Sequence, residues 1–224
     1  MTLSRALRTG FLALCAVDLV ALLAGSDATH TVAKPLLMPL LAAYAAASGG
    51  PRLLCAALLF GWGGDVLLLV DQDAAFLAGM GCFAAGHGCY LVLFRRHGTP
   101  RARGVLLGAA YGAALVATVA VLWPGLPGEM RGPVAGYSVL LTAMAYGACR
   151  LGPVAGTGGA LFLLSDTLIA TGIADRPQPP RPDFWIMATY AAAQYLLARG
   201  VLDARAAPGA AYREQSAAIR RTPL

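Results

Sequence analysis

The sequence predicts an all-α integral membrane protein, a bundle of about eight transmembrane helices with both termini in the cytoplasm. Three observations carry that expectation. The 224 residues are 58% hydrophobic and 12% charged, with a mean hydropathy of +0.65, whereas a soluble domain carries about 25% charged residues. The length accommodates about eight apolar runs of ~20 residues with short connections and no sizeable soluble domain. The basic residues divide unevenly between the two sets of connections, as the positive-inside rule requires.

The first expected span, Leu7 to Ala24, follows Arg5 and Arg8 and could pass for a signal peptide. Asp18 in its second half, with further spans behind it, favours an uncleaved helix. The second, Pro35 to Ala47, is short and opens on Lys34-Pro35, with proline at a first helical position. Ser48-Gly49-Gly50-Pro51 turns the chain into span three, Arg52 to about Val70. Asp71-Gln72-Asp73 leads into span four, Ala74 to Phe94, and the connection Arg95 to Arg103 is the most basic in the chain. Span five covers Gly104 to Leu122 and ends on Trp123-Pro124-Gly125-Leu126-Pro127-Gly128. Spans six, seven and eight are expected at Gly132 to Cys149, Val154 to Ile173 and Asp183 to Leu202.

Residues 1–203 thus form a single transmembrane domain, and 204–224 a polar, basic cytoplasmic tail expected to be mobile. On the side of the N-terminus lie thirteen basic residues, among them Arg95, Arg96, Arg101 and Arg103; opposite stand Lys34, Arg131, Arg176 and Arg181. The Ala-, Gly- and Arg-rich usage, with Lys34 the single lysine, is that of a high-GC bacterial genome, which places the protein in a bacterial inner membrane. No clustered basic face on a soluble fold points to nucleic acid. Cys15, Cys55, Cys82, Cys89 and Cys149 all fall in apolar runs without CxxC spacing, so they read as small buried hydrophobes.

Ionisable side chains interrupt the apolar runs. A carboxylate at the centre of a span costs about 2.5–3.5 kcal/mol on an insertion scale, yet Asp65 sits in span three and Asp166 in span seven. Counting residues at ~1.5 Å each puts Asp65, Asp166 and Asp18 in the non-cytoplasmic half, with Lys34 at that boundary and His87 and Gln194 deeper. The expected site is a cavity open away from the cytoplasm. His87 and Tyr90 share a face of span four, near Phe76, Phe83 and Phe94, and Tyr190 and Gln194 share a face of span eight. Gly61, Gly63, Gly64, Gly79, Gly86 and Gly88 surround these positions and allow close helix approach. Ser165 is expected to turn away from Asp166 and to be able to bond back to its own backbone.

Two carboxylates in a low-dielectric pocket suit acid–base chemistry, because when they are close one ionises while the other keeps its proton. Asp65 and Asp166 are therefore the candidate catalytic pair. Of the three histidines only His87 lies within a span, so three converging ligands for a metal hydrolase cannot be assembled. No GxSxG motif supports a serine nucleophile. No cofactor and no metal are expected. A proton-coupled transporter is an alternative, since intramembrane carboxylates also relay protons, and it predicts broken helices and internal symmetry. A purely structural membrane protein leaves the two buried aspartates unexplained.

Several stretches carry a family likeness. They are Lys34-Pro35-Leu36-Leu37-Met38-Pro39, Leu59-Phe60 through Gly64-Asp65-Val66-Leu67-Leu68, and Phe76-Leu77-Ala78-Gly79 through His87-Gly88-Cys89-Tyr90. Gly159-Ala160-Leu161-Phe162 through Ser165-Asp166 follow, then Tyr190 and Ala193-Gln194. In this order the chain resembles the YhhN family of multispan proteins, whose characterised members are lysoplasmalogenases. Spans five and six match only in general character, and the connection Arg176 to Pro182 and the basic tail are peculiar to this sequence.

The resemblance implies hydrolysis of the vinyl-ether bond of a lysoplasmalogen, giving a fatty aldehyde and glycerophospho-choline or -ethanolamine. It leaves open a hydrolase of the same architecture acting on another lipid or ether. A vinyl ether hydrolyses by protonation of its β-carbon and attack of water on the resulting oxocarbenium ion, which calls for a positioned acid and a stabilising carboxylate. Asp65 and Asp166 would fill these roles, in either order. His87, Tyr90, Tyr190 and Gln194 would orient water and substrate. Lys34 would meet the phosphate of the lysophospholipid headgroup or pair with Asp18.

Overall fold

The computed structural model describes residues 2–99 and 104–221, with side chains as far as Ala206. Arg101 and Arg103 of the basic connection and the end of the tail, 222–224, lie outside the described residues. Among the described residues eight α-helices follow one another: α1 Leu3–Ala24, α2 Asp27–Ala47, α3 Arg52–Leu67, α4 Asp73–His97, α5 Gly104–Leu122, α6 Gly128–Ala148, α7 Pro153–Ile173 and α8 Pro182–Arg221. Among the described residues there is no strand. A 3-10 turn, Cys149–Leu151, joins α6 to α7.

Among the described residues five stretches are long and apolar enough to cross a membrane: Leu3–Ala24, Asp73–His97, Gly104–Leu122, Gly128–Leu151 and Pro153–Ile173. α3 is shorter, at 16 residues, and α2 and α8 are less apolar but well enclosed. α2 buries Leu37, Met38, Leu41, Ala42, Tyr44 and Ala45, and α8 packs against α1, α2, α3, α4 and α7. A helix wrapped by protein can be less apolar than one wrapped by lipid. α5 is the opposite case: Leu122 is its one buried residue, and Val105 is 90% exposed. In water such a surface would be unstable, so it belongs against acyl chains. The chain is a multi-pass membrane protein.

Two sequence expectations need correction. α2 starts at Asp27, not Pro35, so Pro35 and Pro39 both lie inside it. Asp27 in the first turn complements the partial positive charge there. Each proline removes a backbone donor from the carbonyl four residues earlier, a loss that neighbouring helices and side chains in a membrane bundle can absorb. The longer helix places His30 one turn before Lys34 on the same face. At the other end, α8 continues beyond Leu202 to Arg221, so the helix extends into the predicted tail.

Small residues set the closest helix contacts. A Cβ on Gly158 would stand 2.9 Å from the Leu197 nitrogen of α8, and one on Gly159 would stand 2.8 Å from the Ala145 Cα of α6. Both obstacles are backbone, which cannot rotate aside, so these glycines fix the spacing of α6, α7 and α8.

The main core runs through α1–α4 and α6–α8. A second apolar cluster, built from Leu122, Leu126, Met130, Val134 and Ala174, gathers where α5 turns into α6 and α7 ends. Side chains of the Pro-rich connection brace the same end of the bundle. Arg176 donates to the Val121 carbonyl at 2.9 Å, Gln178 to Leu168 at 2.7 Å and Arg181 to Leu22 at 3.3 Å.

Candidate active site

Asp65 is 2% exposed and lies near the end of α3. Its Oδ2 accepts a hydrogen bond from the Tyr190 hydroxyl of α8 at 2.8 Å. Tyr190 accepts in turn from Gln194 Nε2 at 3.3 Å, and Gln194 Oε1 accepts from the Tyr90 hydroxyl of α4 at 2.8 Å. Four candidates thus form one buried chain, Tyr90–Gln194–Tyr190–Asp65, and the shared face of Tyr190 and Gln194 is borne out. Gly61, one turn before Asp65, makes room for it: a Cβ there would lie 2.9 Å from Gln194 Nε2.

Asp166 belongs to a separate chain. Its Oδ2 accepts from the Tyr137 hydroxyl of α6, and His87 Nε2 lies 3.0 Å from the same hydroxyl. Because Tyr137 donates to the carboxylate, its oxygen is left to accept, which assigns the His87 proton to Nε2. His87 and Tyr90 lie on one helix, yet they serve different carboxylates. Tyr137 was not among the sequence candidates; an uncharged Tyr beside Ser138 in α6 carries no signal until α6 and α7 are packed together.

An aromatic wall separates the two chains. Phe162 packs edge-on against His87, with centroids 4.8 Å apart, and against Tyr190 at 5.5 Å. Phe83 packs edge-on against Tyr190 at 5.9 Å and Phe162 at 6.3 Å. A Cβ on Gly64 would stand 2.5 Å from Phe83 Cε2, so the bare backbone at Gly64 sets where that ring lies. Asp65 stays within electrostatic reach of Asp166, Lys34 and Asp18.

One side of this wall is a cavity. It lies between α4, α5, α6 and α7, with Leu68 at the end of α3. Phe83, Tyr137 and Asp166 line it, together with largely apolar side chains such as Met80, Leu115 and Ile169. Tyr137 holds Asp166 Oδ2, while Oδ1 has no hydrogen-bond partner among the described residues. Asp65 does not line the cavity. The cavity reaches the end of the bundle where α5 turns into α6, and Leu122 and Val134 belong to both its lining and the second apolar cluster. Among the described residues α5 packs chiefly on α6, thinly on α7, and makes no substantial contact with α4.

Asp18 and Lys34 lie apart from the cavity. Asp18 is 1% exposed and its Oδ1 is 2.8 Å from His30 Nδ1. His30 lies inside α2 because that helix starts at Asp27. Lys34 is within electrostatic reach of Asp18 and Asp65 but forms no hydrogen bond or salt bridge among the described residues, so the pairing of Lys34 with Asp18 gives way to His30. Ser165 donates across to the Ile186 carbonyl of α8 at 3.0 Å, turned away from Asp166 as expected. Among the described residues no three His, Cys, Asp or Glu side chains gather as metal ligands.

These features define a class: multi-pass helical membrane proteins with two tyrosine-bound carboxylates, one of them lining an apolar cavity. The chain belongs to the YhhN family, which matches it over residues 29–201. Every residue of the two chains falls in that range, and Asp18 lies outside it. Human lysoplasmalogenase TMEM86B is 35% identical over 156 residues, covering 69% of this chain and 66% of that protein. The pig protein of that name is 36% identical over 149 residues (66% and 61%), and the rat protein 33% over 178 residues (79% and 72%). The chain thus spans a little under two thirds of the human and pig relatives. No solved structure matches it.

Proposed function

We infer that the protein is an intramembrane hydrolase that cleaves the vinyl-ether bond of a lysoplasmalogen, releasing a fatty aldehyde and a glycerophospho-choline or -ethanolamine. Relatives named as lysoplasmalogenases support the substrate class. One observation carries the chemistry: Asp166 stands at the wall of an apolar cavity with Oδ2 held by Tyr137 and Oδ1 left for a substrate.

Protonated Asp166 delivers its proton from Oδ1 to the β-carbon. The π electrons form the new C–H bond, and positive charge spreads over the α-carbon and the ether oxygen. Water adds to the α-carbon and returns a proton to the Asp166 carboxylate. The hemiacetal then collapses, its hydroxyl proton leaving as the ether oxygen is protonated, and gives aldehyde and alcohol. One water is consumed and the acid regenerated, so no metal or cofactor is required. Tyr137, with His87 behind it, fixes the acid's orientation. Asp65, held by Tyr190, Gln194 and Tyr90, stabilises the cation from behind the aromatic wall. Lys34, with Asp18 and His30 beside it, meets the headgroup phosphate. All eight helices cross a bacterial inner membrane with both termini cytoplasmic, as the loop charges imply.

The test uses purified protein in detergent with a lysoplasmalogen and its saturated 1-O-alkyl analogue. Aldehyde is expected from the vinyl ether alone, and in D2O it carries one deuterium at C-2. Equal cleavage of the saturated ether, or aldehyde without deuterium at C-2, overturns β-carbon protonation.

A further inference from the structure

The cavity wall holds an unpartnered polar group that the reaction described above leaves unused. Thr142 lines the cavity on α6, is 6% exposed, and its Oγ1 is buried without a hydrogen-bond partner. An unpartnered buried hydroxyl costs about 1–3 kcal/mol, and a helical threonine ordinarily avoids this by donating to the carbonyl four residues back. Neighbouring hydroxyls do so: Ser138 donates to Val134 and Thr167 to Leu163, each at 2.7 Å. Thr142 alone among these three is unbonded.

Its position narrows what could satisfy it. Thr142 is five residues beyond Tyr137, about 7.5 Å further along the helix axis, and so deeper in the bundle than the Tyr137–Asp166 bond. A trapped water needs two to four polar partners. The wall also carries the hydroxyls of Thr118, Ser138 and Thr167, of which Ser138 and Thr167 donate to their own helices. A hydroxyl carried by the substrate would reach Thr142 from within the cavity. A lysolipid carries one hydroxyl vicinal to the sn-1 ether, a few bonds from the carbon that Asp166 protonates.

We propose that Thr142 binds the free sn-2 hydroxyl of the lysolipid and so makes the site selective for lyso substrates; this rests on the vinyl-ether hydrolase reading. The hydroxyl both donates and accepts, so it matches a threonine in either sense. A 2-acyl chain offers no donor to Thr142 and places bulk against the wall instead.

The test compares a 1-O-alkenyl lysophosphoethanolamine with its 2-deoxy analogue. Wild-type protein is expected to favour the lyso compound by about 10- to 100-fold in kcat/KM. Thr142→Val should abolish that preference, leaving the 2-deoxy rate unchanged, and Thr142→Ser should restore it. Loss of both rates together in Thr142→Val, or an unaltered preference, overturns the proposal. So does a wild-type protein indifferent to the 2-hydroxyl, a result that needs no variant to fold. Binding of the uncleavable 1-O-alkyl lyso compound and its 2-deoxy form separates the two readings. If wild type releases no aldehyde the hydrolase reading falls, while the ratio of the two dissociation constants still decides the role of Thr142.

Discussion

Tyr190 donates its hydroxyl proton to Asp65 over 2.8 Å, although the two stand 125 positions apart. Tyr190→Phe should cost about 1–3 kcal/mol of stability, because the buried carboxylate loses its one donor among the described residues. Asp65→Asn keeps the size and a hydrogen-bond acceptor but loses the charge. It should hold its thermal midpoint more nearly than Tyr190→Phe while lowering kcat by about 10²–10³-fold. Thermal unfolding in detergent alongside aldehyde release measures both; an Asp65→Asn variant with wild-type kcat would remove Asp65 from the reaction.

Asp166→Asn should be more severe in rate, by about 10²–10⁴-fold in kcat, the usual contribution of a general acid. Its fold should persist, because the amide oxygen can still accept from Tyr137. Tyr137→Phe should fall between this variant and wild type, since it frees the acid to rotate without removing it. Turnover equal to wild type in Tyr137→Phe would sink the positioning role given to that hydroxyl.

Neighbouring glycines in α3 should respond oppositely to the same small change. Gly64→Ala drives a methyl to 2.5 Å from Phe83 Cε2, whereas Gly63→Ala meets only Cys82 Sγ at 3.4 Å. Displacing Phe83 disturbs the cavity wall and the packing on Tyr190 together. Gly64→Ala should therefore lose most activity, and Gly63→Ala should keep it; equal activities would show that the ring yields freely.

Lys34 is the single lysine and has no ion-pair partner among the described residues. Lys34→Met keeps the apolar stem and removes the charge. It should raise KM for a phosphate-bearing substrate by about tenfold, the equivalent of 1.4 kcal/mol, with kcat unchanged. A fall in kcat at constant KM would instead tie Lys34 to the chemistry through Asp65.

Much of this site is legible in the sequence because charge in an apolar run is conspicuous. Asp65, Asp166, His87 and Gln194 stand out for that reason, and the 3.6-residue period links Tyr190 to Gln194. The period cannot say which helices are neighbours, so Tyr137 stays hidden: its importance arises only from the contact of α6 with α7. His30 is missed for a local reason. Pro35 reads as a first helical position on propensities measured in water, but the bundle carries α2 back through it to Asp27. The glycines beside Asp65 point to close packing, but not to the ring that Gly64 accommodates.

The apolar cluster of Leu122, Leu126, Met130, Val134 and Ala174 has a kinetic consequence. It packs apolar side chains at one end of the cavity, while α5 makes no substantial contact with α4, so under the proposed reaction a lysolipid would enter from the bilayer and its relevant concentration would be two-dimensional. Diluting the substrate with inert phospholipid at constant bulk concentration should slow turnover in proportion to its mole fraction in the membrane. The aldehyde, once formed, dissolves in the lipid it came from, whereas the polar product partitions into water.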